Sequence, residues 1–504
     1  MVRPGPAGDA LALAAGALGV AAYAPLGWWP LAVLAPVLLF STWLEASVAR
    51  AAWRGFLFGL GFFGLGVSWV FHSIHEFGQA PGWLAAGITA AFILALSGFP
   101  AMVGALGNRY RGAGSRLVIA YPALWTLAEW TRGWFLTGFP WLLAGEPHAD
   151  SPLAGYFPVV GTYAVGWIGL WVAGVLVWWS RRPPLRPAVW LGVALGVVLA
   201  AGGWLHTWPW SRVAGPPLEV ALVQGNIAQD RKWAPEQFEP TKALYLELTA
   251  ANWDADLIVW PETAIPAFYR DVRDYFQTLA EQAVADGVTL ISGIFRYDPH
   301  GRRMYNSLVR LGDPPEFYDK RHLVMFGEYL PLRGLLQRLG DMLVIPMSDL
   351  SPGTGRPLLH MLDGRPVGVG ICFEDAFGRE TSAAFPEAQL LLNVSNDAWF
   401  GDSLAPHQHL HIARLRALET RRFMVRATNT GISAVVDPYG AVLTRAPQFE
   451  TRVLRATVTP LRGETPFVRW GNAPWISAAL FVLLILELRR RGRRPGPAPQ
   501  PGAG

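Results

Sequence analysis

Two kinds of hydrophobic pattern divide this chain. Long, nearly uncharged apolar stretches cover roughly residues 10–26, 30–44, 56–75, 83–107, 117–131, 157–180 and 187–209, and one more covers about 474–488. Most approach the ~20 residues that a helix needs to cross a bilayer. Between about 215 and 465 the pattern changes to short β-rich runs alternating with polar, amphipathic stretches. Residues 218–227 and 256–260 read as strands and about 236–251 as a helix. A further helix runs to about Gly287, which suits a C-cap, and strands follow near 289–296 and 305–311. This alternation predicts an α/β layered fold in a domain large enough to bury its own core. The predicted organisation is a seven-helix transmembrane region over 1–214, a folded domain over 215–465, a last transmembrane helix over 466–490, and a basic tail over 491–504. The tail is too poor in apolar side chains to pack and is expected to be disordered. No period of 20–50 residues stands out, which argues against a repeat architecture.

Composition supports the membrane reading: 52% of residues are apolar and 16% charged. Arginine placement gives the expected orientation. Arg3 precedes the first stretch; Arg50 and Arg54 follow the second; Arg109, Arg111 and Arg116 follow the fourth; Arg181, Arg182 and Arg186 follow the sixth; and Arg489, Arg490, Arg491, Arg493 and Arg494 follow the eighth. The opposite loops hold Arg132 and Arg212 alone. Positive loops stay cytoplasmic, so both termini are expected inside and the domain outside. Those flanks hold 14 arginines and three acids against a net charge of +5 for the whole chain, so the remainder is net acidic. A nucleic-acid partner is therefore not expected. Because several spans follow the first, it reads as a retained anchor and not a cleaved signal.

Candidate chemistry begins with Cys372, the only cysteine, in Gly370-Ile371-Cys372-Phe373-Glu374-Asp375 at the end of a β-prone run. A lone thiol forms no internal disulfide, so it is either a packed hydrophobe or a nucleophile, and an unpaired thiol facing an oxidising compartment favours the second. A nucleophilic thiol needs a base or a nearby cation. Glu262 follows Leu-Ile-Val-Trp-Pro, and Lys320 lies in Tyr-Asp-Lys-Arg-His-Leu. The chain has three lysines among its 42 basic residues, so lysine is not its default cation, and a compact ammonium fits a tetrahedral oxyanion. Structural readings stand beside these. Glu262 could be a helix N-cap acid, Glu328 and Glu374 ion-pair partners, and Trp233 one of many interfacial tryptophans, while Asn396-Asp397 reads equally as a turn closing a strand or as a contact near the thiol. His407 and His411 would share a helix face as metal ligands do, yet the zinc-protease glutamate is replaced by Gln408, and an exposed or capping role near a helix start is the ordinary expectation. Glu129 and Arg132 could mark a polar membrane site or a mutual pair.

The same residues resemble the nitrilase, or carbon-nitrogen hydrolase, superfamily, and among its members the membrane-embedded apolipoprotein N-acyltransferase family. The resemblance rests on Gln224-Gly225-Asn226, Trp260-Pro261-Glu262-Thr263-Ala264, Tyr318-Asp319-Lys320-Arg321-His322-Leu323 running into Phe326-Gly327-Glu328-Tyr329-Leu330-Pro331, and the cysteine motif. It continues through Asn393-Val394-Ser395-Asn396-Asp397-Ala398-Trp399-Phe400, Arg416-Ala417-Leu418-Glu419, Glu129-Trp130-Thr131-Arg132 and Thr137-Gly138-Phe139-Pro140-Trp141. It implies an α-β-β-α sandwich with Glu262 as general base, Lys320 as oxyanion stabiliser and Cys372 as acyl-accepting nucleophile. Glu328 would orient the lysine or the base, and Glu374 and Trp233 would shape the site and its lid. The amide of Phe373 would be a second oxyanion donor, and Asn306 is placed among the supporting residues. The implied reaction moves a fatty acyl group from a phospholipid, with phosphatidylethanolamine the expected donor, to the terminal amine of a diacylglyceryl lipoprotein in the bacterial inner membrane, with no cofactor or metal. The alternatives are a membrane-anchored amidase acting on small nitrogen compounds and a nonenzymatic scaffold.

Overall fold

A computed structural model of the chain describes residues 5–110, 112–298, 300–329 and 350–492. Arg3, Arg111, the Leu330-Pro331 end of the lysine-loop motif and the tail from residue 493 lie outside the described residues. The N-terminal region is helical throughout: α1 (Pro6–Gly19), α2 (Leu31–Trp43), α3 (Val48–Gly66), α4 (Gly82–Gly107), α5 (Tyr121–Arg132), α6 (Phe157–Ser180) and α7 (Leu185–Thr207). Three helical segments, Gly82–Gly107, Ala154–Ser180 and Leu185–Thr207, are long and apolar enough to cross a membrane. A fourth qualifies if α3 and the segment Trp69–Phe77, which meet at a 52° bend, count as one broken span.

Small residues let these helices approach. A Cβ on Gly16 would stand 2.0 Å from the Phe58 carbonyl oxygen, and one on Gly61 would stand 2.3 Å from that of Leu13, so α1 and α3 touch backbone to backbone. Aromatic side chains fill the rest, with Phe40, Trp43, Tyr121 and Trp125 in one buried cluster. On α7 almost nothing is buried, and Leu185, Trp190 and Trp204 stand outward, as an apolar helix edge facing lipid would.

After a short strand β1 (Arg212–Val213), the folded domain builds two six-stranded sheets. One runs β13-β2-β3-β4-β5-β6 and comprises β2 (Leu218–Gln224), β3 (Leu257–Val259), β4 (Thr289–Tyr297), β5 (Met304–Arg310), β6 (Glu316–Asp319) and β13 (Arg452–Val458). The other runs β12-β11-β10-β9-β8-β7 and comprises β7 (Leu358–His360), β8 (Pro366–Ile371), β9 (Leu390–Ser395), β10 (Met424–Thr428), β11 (Ala434–Val436) and β12 (Val442–Arg445). A last strand, β14 (Leu461–Arg462), pairs with β1. Both sheets have the same order of pairings: three parallel strands at the heart (β2-β3-β4 and β8-β9-β10), one antiparallel neighbour on one side and two on the other.

Period-two alternation explains the layering. Leu218, Val220 and Leu222 of β2 meet Val367, Val369 and Ile371 of β8 and Leu390, Leu392 and Val394 of β9 in the core between the sheets. The intervening Ala221 and Val223 pack on the other face against α8 (Pro235–Ala250) and α9 (Arg273–Asp286), through Tyr245, Phe276 and Leu279. Strands buried on both faces read as continuous apolar runs, as these do. The second sheet is covered by α10 (Ala405–Thr420), which is buried along most of its length. This helix lies between the sheet and the apolar helices. Gln408 accepts from Trp141 Nε1 at 2.7 Å and donates to the Gly66 carbonyl, and Glu419 accepts from the Thr162 amide and hydroxyl at 2.9 and 2.7 Å. The chain ends its described part in α11 (Ala473–Gly492).

The domain is thus an α-β-β-α sandwich joined to apolar helices, as predicted. The predicted elements also lie close to the observed ones, and Gly287 caps α9 in the left-handed conformation (φ 72°).

Candidate active site

Three strand ends converge at one edge of the sandwich. Glu262 lies just beyond β3, Lys320 directly follows β6, and Cys372 directly follows β8. Glycine makes room for the first: a Cβ on Gly293 of β4 would stand 2.4 Å from the Thr263 nitrogen and 2.5 Å from the Pro261 oxygen. Thr263 (φ 49°) and Cys372 (φ 53°) both adopt the left-handed backbone, which is uncommon outside glycine and recurs at functional turns.

Lys320 is 1% exposed and its ammonium bridges two carboxylates, at 2.8 Å from Glu328 Oε1 and 3.7 Å from Glu262 Oε1. Asn306, on β5, ties the same pair together: its Nδ2 donates to Glu262 at 2.7 Å and to Glu328 at 3.1 Å. The other Glu262 oxygen accepts from the Asn396 amide at 2.8 Å, and the other Glu328 oxygen accepts from the Val324 amide at 2.8 Å. Burial alone would lower the Lys320 ammonium, but Glu328 and Glu262 outweigh it and hold it charged well above the ordinary lysine range. Burial, and then the Glu262 carboxylate, push the Cys372 thiol well above its usual range, with Lys320 pulling the other way. The thiol therefore sits beside Glu262 and a fixed ammonium in surroundings that favour its neutral form. Cys372 keeps partial solvent access.

Glu374 joins the loops. One oxygen accepts from Tyr318 Oη at 2.8 Å and from the Arg321 and His322 amides at 2.7 and 3.1 Å, and the other accepts from the Ile371 amide at 2.7 Å. The end of the cysteine strand and the lysine loop are thereby held by one buried carboxylate, whose burial pushes its pKa up to about 7. Phe373 turns toward the apolar helices and stacks on Trp141 with ring centroids 6.2 Å apart. Trp233 is 42% exposed and stacks on Phe295, 5.8 Å between centroids.

Several neighbours escaped the sequence reading. Lys232 is 2% exposed and donates to the Glu262 carbonyl at 3.3 Å, and burial lowers its pKa to about 8. Its rarity as a lysine was a signal, but it was given no role. The Asn396 amide donates to Glu262 at 2.8 Å, so of the two readings of Asn396-Asp397 the contact at the site is the one the structure favours. Glu262 caps no helix, since the next helical turn begins at Tyr269.

The histidines differ most from expectation. His409 and His411 are buried, neither exposed nor capping. His411 donates to the Glu146 carbonyl at 2.8 Å, and His409 sits between Asp375 and Asp397. Among the described residues no group of three histidine, cysteine or acidic side chains is placed to hold a metal. In the helical region, Glu129 accepts from Trp125 Nε1 and the Ala144 amide at 3.0 and 2.9 Å, while Arg132 donates to the carbonyls of Phe139 and Trp141 at 2.9 and 2.6 Å. The two side chains stand 4.0 Å apart and brace the 139–144 loop that carries Trp141.

Residues 219–466 match the carbon-nitrogen hydrolase family, and residues 15–175 match the apolipoprotein N-acyltransferase N-terminal domain. Fold, site and family match together define an enzyme domain of the carbon-nitrogen hydrolase class, built onto a bundle of apolar helices. The chain is 45% identical to the apolipoprotein N-acyltransferase of Methylococcus capsulatus, covering 95% of this chain and 96% of that one. It is 41% identical to that of Azotobacter vinelandii, over 99% and 98%. Among solved structures, Saccharomyces cerevisiae Nit3, a member of branch 10 of the nitrilase superfamily, aligns at 20% identity with a TM-score of 0.37, over 50% of this chain and 93% of that one. The chain belongs to the apolipoprotein N-acyltransferase family.

Proposed function

We propose that this protein completes lipoprotein maturation by moving a fatty acyl group from a membrane phospholipid, through a thioester on Cys372, to the terminal amine of a diacylglyceryl-cysteine. The observation that carries this reading is the lysine bridging Glu262 and Glu328 beside a single cysteine held on a left-handed turn. Because the thiol is neutral at rest, Glu262 removes its proton as sulfur attacks the ester carbonyl. The tetrahedral oxyanion is met by Lys320 and by the Phe373 amide. Collapse returns the proton to the departing lysophospholipid oxygen and leaves the thioester. The amine of the lipoprotein then attacks, Glu262 takes its proton and passes it to the departing sulfur, which restores the Cys372 thiol and yields the triacylated product. Glu328 and Asn306 fix the lysine and the base, Glu374 fixes the loops, and Trp233 shapes the mouth of the site.

Both substrates are lipids that resist transfer into water, and the apolar helices beside the site remove that need. A small-molecule amidase gains nothing from them. The reading places the protein in the inner membrane, with eight spans, both termini cytoplasmic and the catalytic domain on the periplasmic face, in accord with the arginine pattern. Phosphatidylethanolamine is the expected donor.

Intact mass of the detergent-purified protein and of Cys372→Ala after incubation with phosphatidylethanolamine tests this directly. A fatty-acyl mass on the wild type alone, released by hydroxylamine and by a lipopeptide amine, is the expected result. No adduct under conditions where lipid reaches the protein would turn the reading toward the amidase.

A further inference from the structure

Beneath the nucleophile lies a buried cluster that the acyl-transfer steps do not use. Asp375 follows Cys372 on its turn, Asp397 lies beyond β9, His409 is on α10 and Arg426 on β10; His409 and Arg426 are fully buried, Asp397 is 2% exposed and Asp375 3%. His409 Nδ1 is 2.9 Å from Asp397 Oδ1, and its Nε2 is 3.0 Å from Asp375 Oδ1. Arg426 closes the ring, 3.1 Å from Asp375 Oδ2 and 3.0 Å from Asp397 Oδ2, and also lies 2.9 Å from His409 Nδ1. Ser395 donates to Asp397 at 2.6 Å. The Cys372 carbonyl accepts at this cluster from His409 Nε2 at 3.3 Å and from Asn393 Nδ2 at 3.2 Å.

The local backbone needs such a support. A cysteine at φ 53° is in a strained, left-handed conformation that persists only where its surroundings over-determine it. The groups facing Nε2, a carboxylate and a carbonyl, are both acceptors, so Nε2 carries a proton whatever the state of Nδ1. Burial, and then Arg426, would pull the His409 pKa down, yet Asp375 and Asp397 outweigh them and bring it up to about 9. The rings of Trp141 and Phe400 pack at 5.7 and 6.0 Å from the imidazole.

We propose that His409 is the positioning residue of the nucleophile: its Nε2–H, oriented by Asp375, holds the Cys372 carbonyl, fixes the left-handed turn, and so sets where the sulfur points. This rests on the reading of Cys372 as the acyl acceptor. His409 touches no substrate and exchanges no proton in the reaction. Its contribution is geometric, and displacement of a reacting atom by about 1 Å costs on the order of 100-fold in rate.

The test is single-turnover formation of the acyl-protein from phosphatidylethanolamine in mixed micelles, followed by intact mass against lipid concentration. His409→Gln retains an amide N–H near the Nε2 position, whereas His409→Asn reaches only as far as Nδ1. The expected result is an acylation rate about 10- to 100-fold lower in His409→Asn, with the half-saturating lipid concentration unchanged, and recovery of most of that loss in His409→Gln. Asp375→Asn, isosteric and still hydrogen-bonding, should fall with His409→Asn and gives the answer if that variant does not fold. Equal rates in the Asn and Gln variants of His409, or a wild-type rate in His409→Asn or Asp375→Asn, would overturn the positioning role. A wild type that forms no adduct overturns the acyl-acceptor reading instead, and this proposal with it.

Discussion

At Cys372 the environment opposes free thiolate, so on the proposed mechanism the thiol loses its proton only as it attacks. That makes the Lys320 ammonium more than a counter-ion, because among the described residues it is the buried cation shared by Glu262 and Glu328. Lys320→Met should lower acyl-protein formation by about 10²–10³-fold while the protein still binds lipid, read by the intact-mass assay at saturating phosphatidylethanolamine. Glu374 gives a pH prediction. Its folded pKa is raised from 4.5 to about 7 by burial, so between those values the folded protein holds a proton that the unfolded chain has released. Stability from this group therefore falls as pH rises from about 4.5 through about 7, by on the order of 3 kcal/mol. Melting in detergent across that range should show the slope, and Glu374→Gln should flatten it. At this scale much was legible in the sequence: Glu262 and Cys372 each sit at the end of a recognisable apolar run, and Lys320 is one of only three lysines. Lys232 and His409 were not legible, because burial beside a particular carbonyl or carboxylate leaves no mark in local sequence.

Among the elements, strand ends and the spaces between strands carry the site. Gly293, inside β4, looks like a weak point of a strand, yet its missing Cβ is what lets the Pro261-Glu262-Thr263 turn lie against the sheet. Gly293→Ala forces that turn outward, and acyl-protein formation should fall by on the order of 100-fold, with lipid binding little changed in the same assay. The helix α10 shows the opposite limit of sequence reading. Periodicity finds a helix with one apolar face, but α10 is buried on most sides, against the second sheet and against α6, so His409, His411, Gln408 and Glu419 point into packed interfaces and not into water. The expectation of an exposed or capping role failed for His409 and His411 for that reason, whereas His407, in the first turn, keeps partial exposure. The shared pairing order of the two sheets was equally invisible, since it lies in which strands are neighbours and not in any fixed sequence period.

For the whole molecule, function depends on how the sandwich meets the apolar helices. Phe373, Ala376, Phe377 and Ile412 of the domain belong to the same packed cluster as Phe58, Trp125 and Trp141 of the helical region. The turn that carries the nucleophile is thus continuous with the helix bundle. The orientation can be checked with single cysteines in a Cys372→Ser background. Arg302→Cys, at an exposed position on the catalytic domain, should react with a membrane-impermeant maleimide in intact spheroplasts. Arg491→Cys, exposed at the end of α11, should react only after the membrane is opened. The reverse pattern would overturn the proposed topology.

The family resemblance of its motifs implied the α-β-β-α class and the roles of Glu262, Lys320 and Cys372; by itself the sequence determined the division into apolar helices and an α/β layered domain and singled out those three residues as candidates. These follow from hydrophobic periodicity and from rare residue types at strand ends, both of which are local. Tertiary structure alone decided that Asn306 joins the two acids, that Glu374 ties the cysteine strand to the lysine loop, that the Asn396 amide meets Glu262, and that His409 lies against the Cys372 carbonyl. Each of these is a contact between segments tens to more than a hundred residues apart, or depends on the φ of a single residue. Burial gives such contacts their strength, and burial is a property of the packed whole.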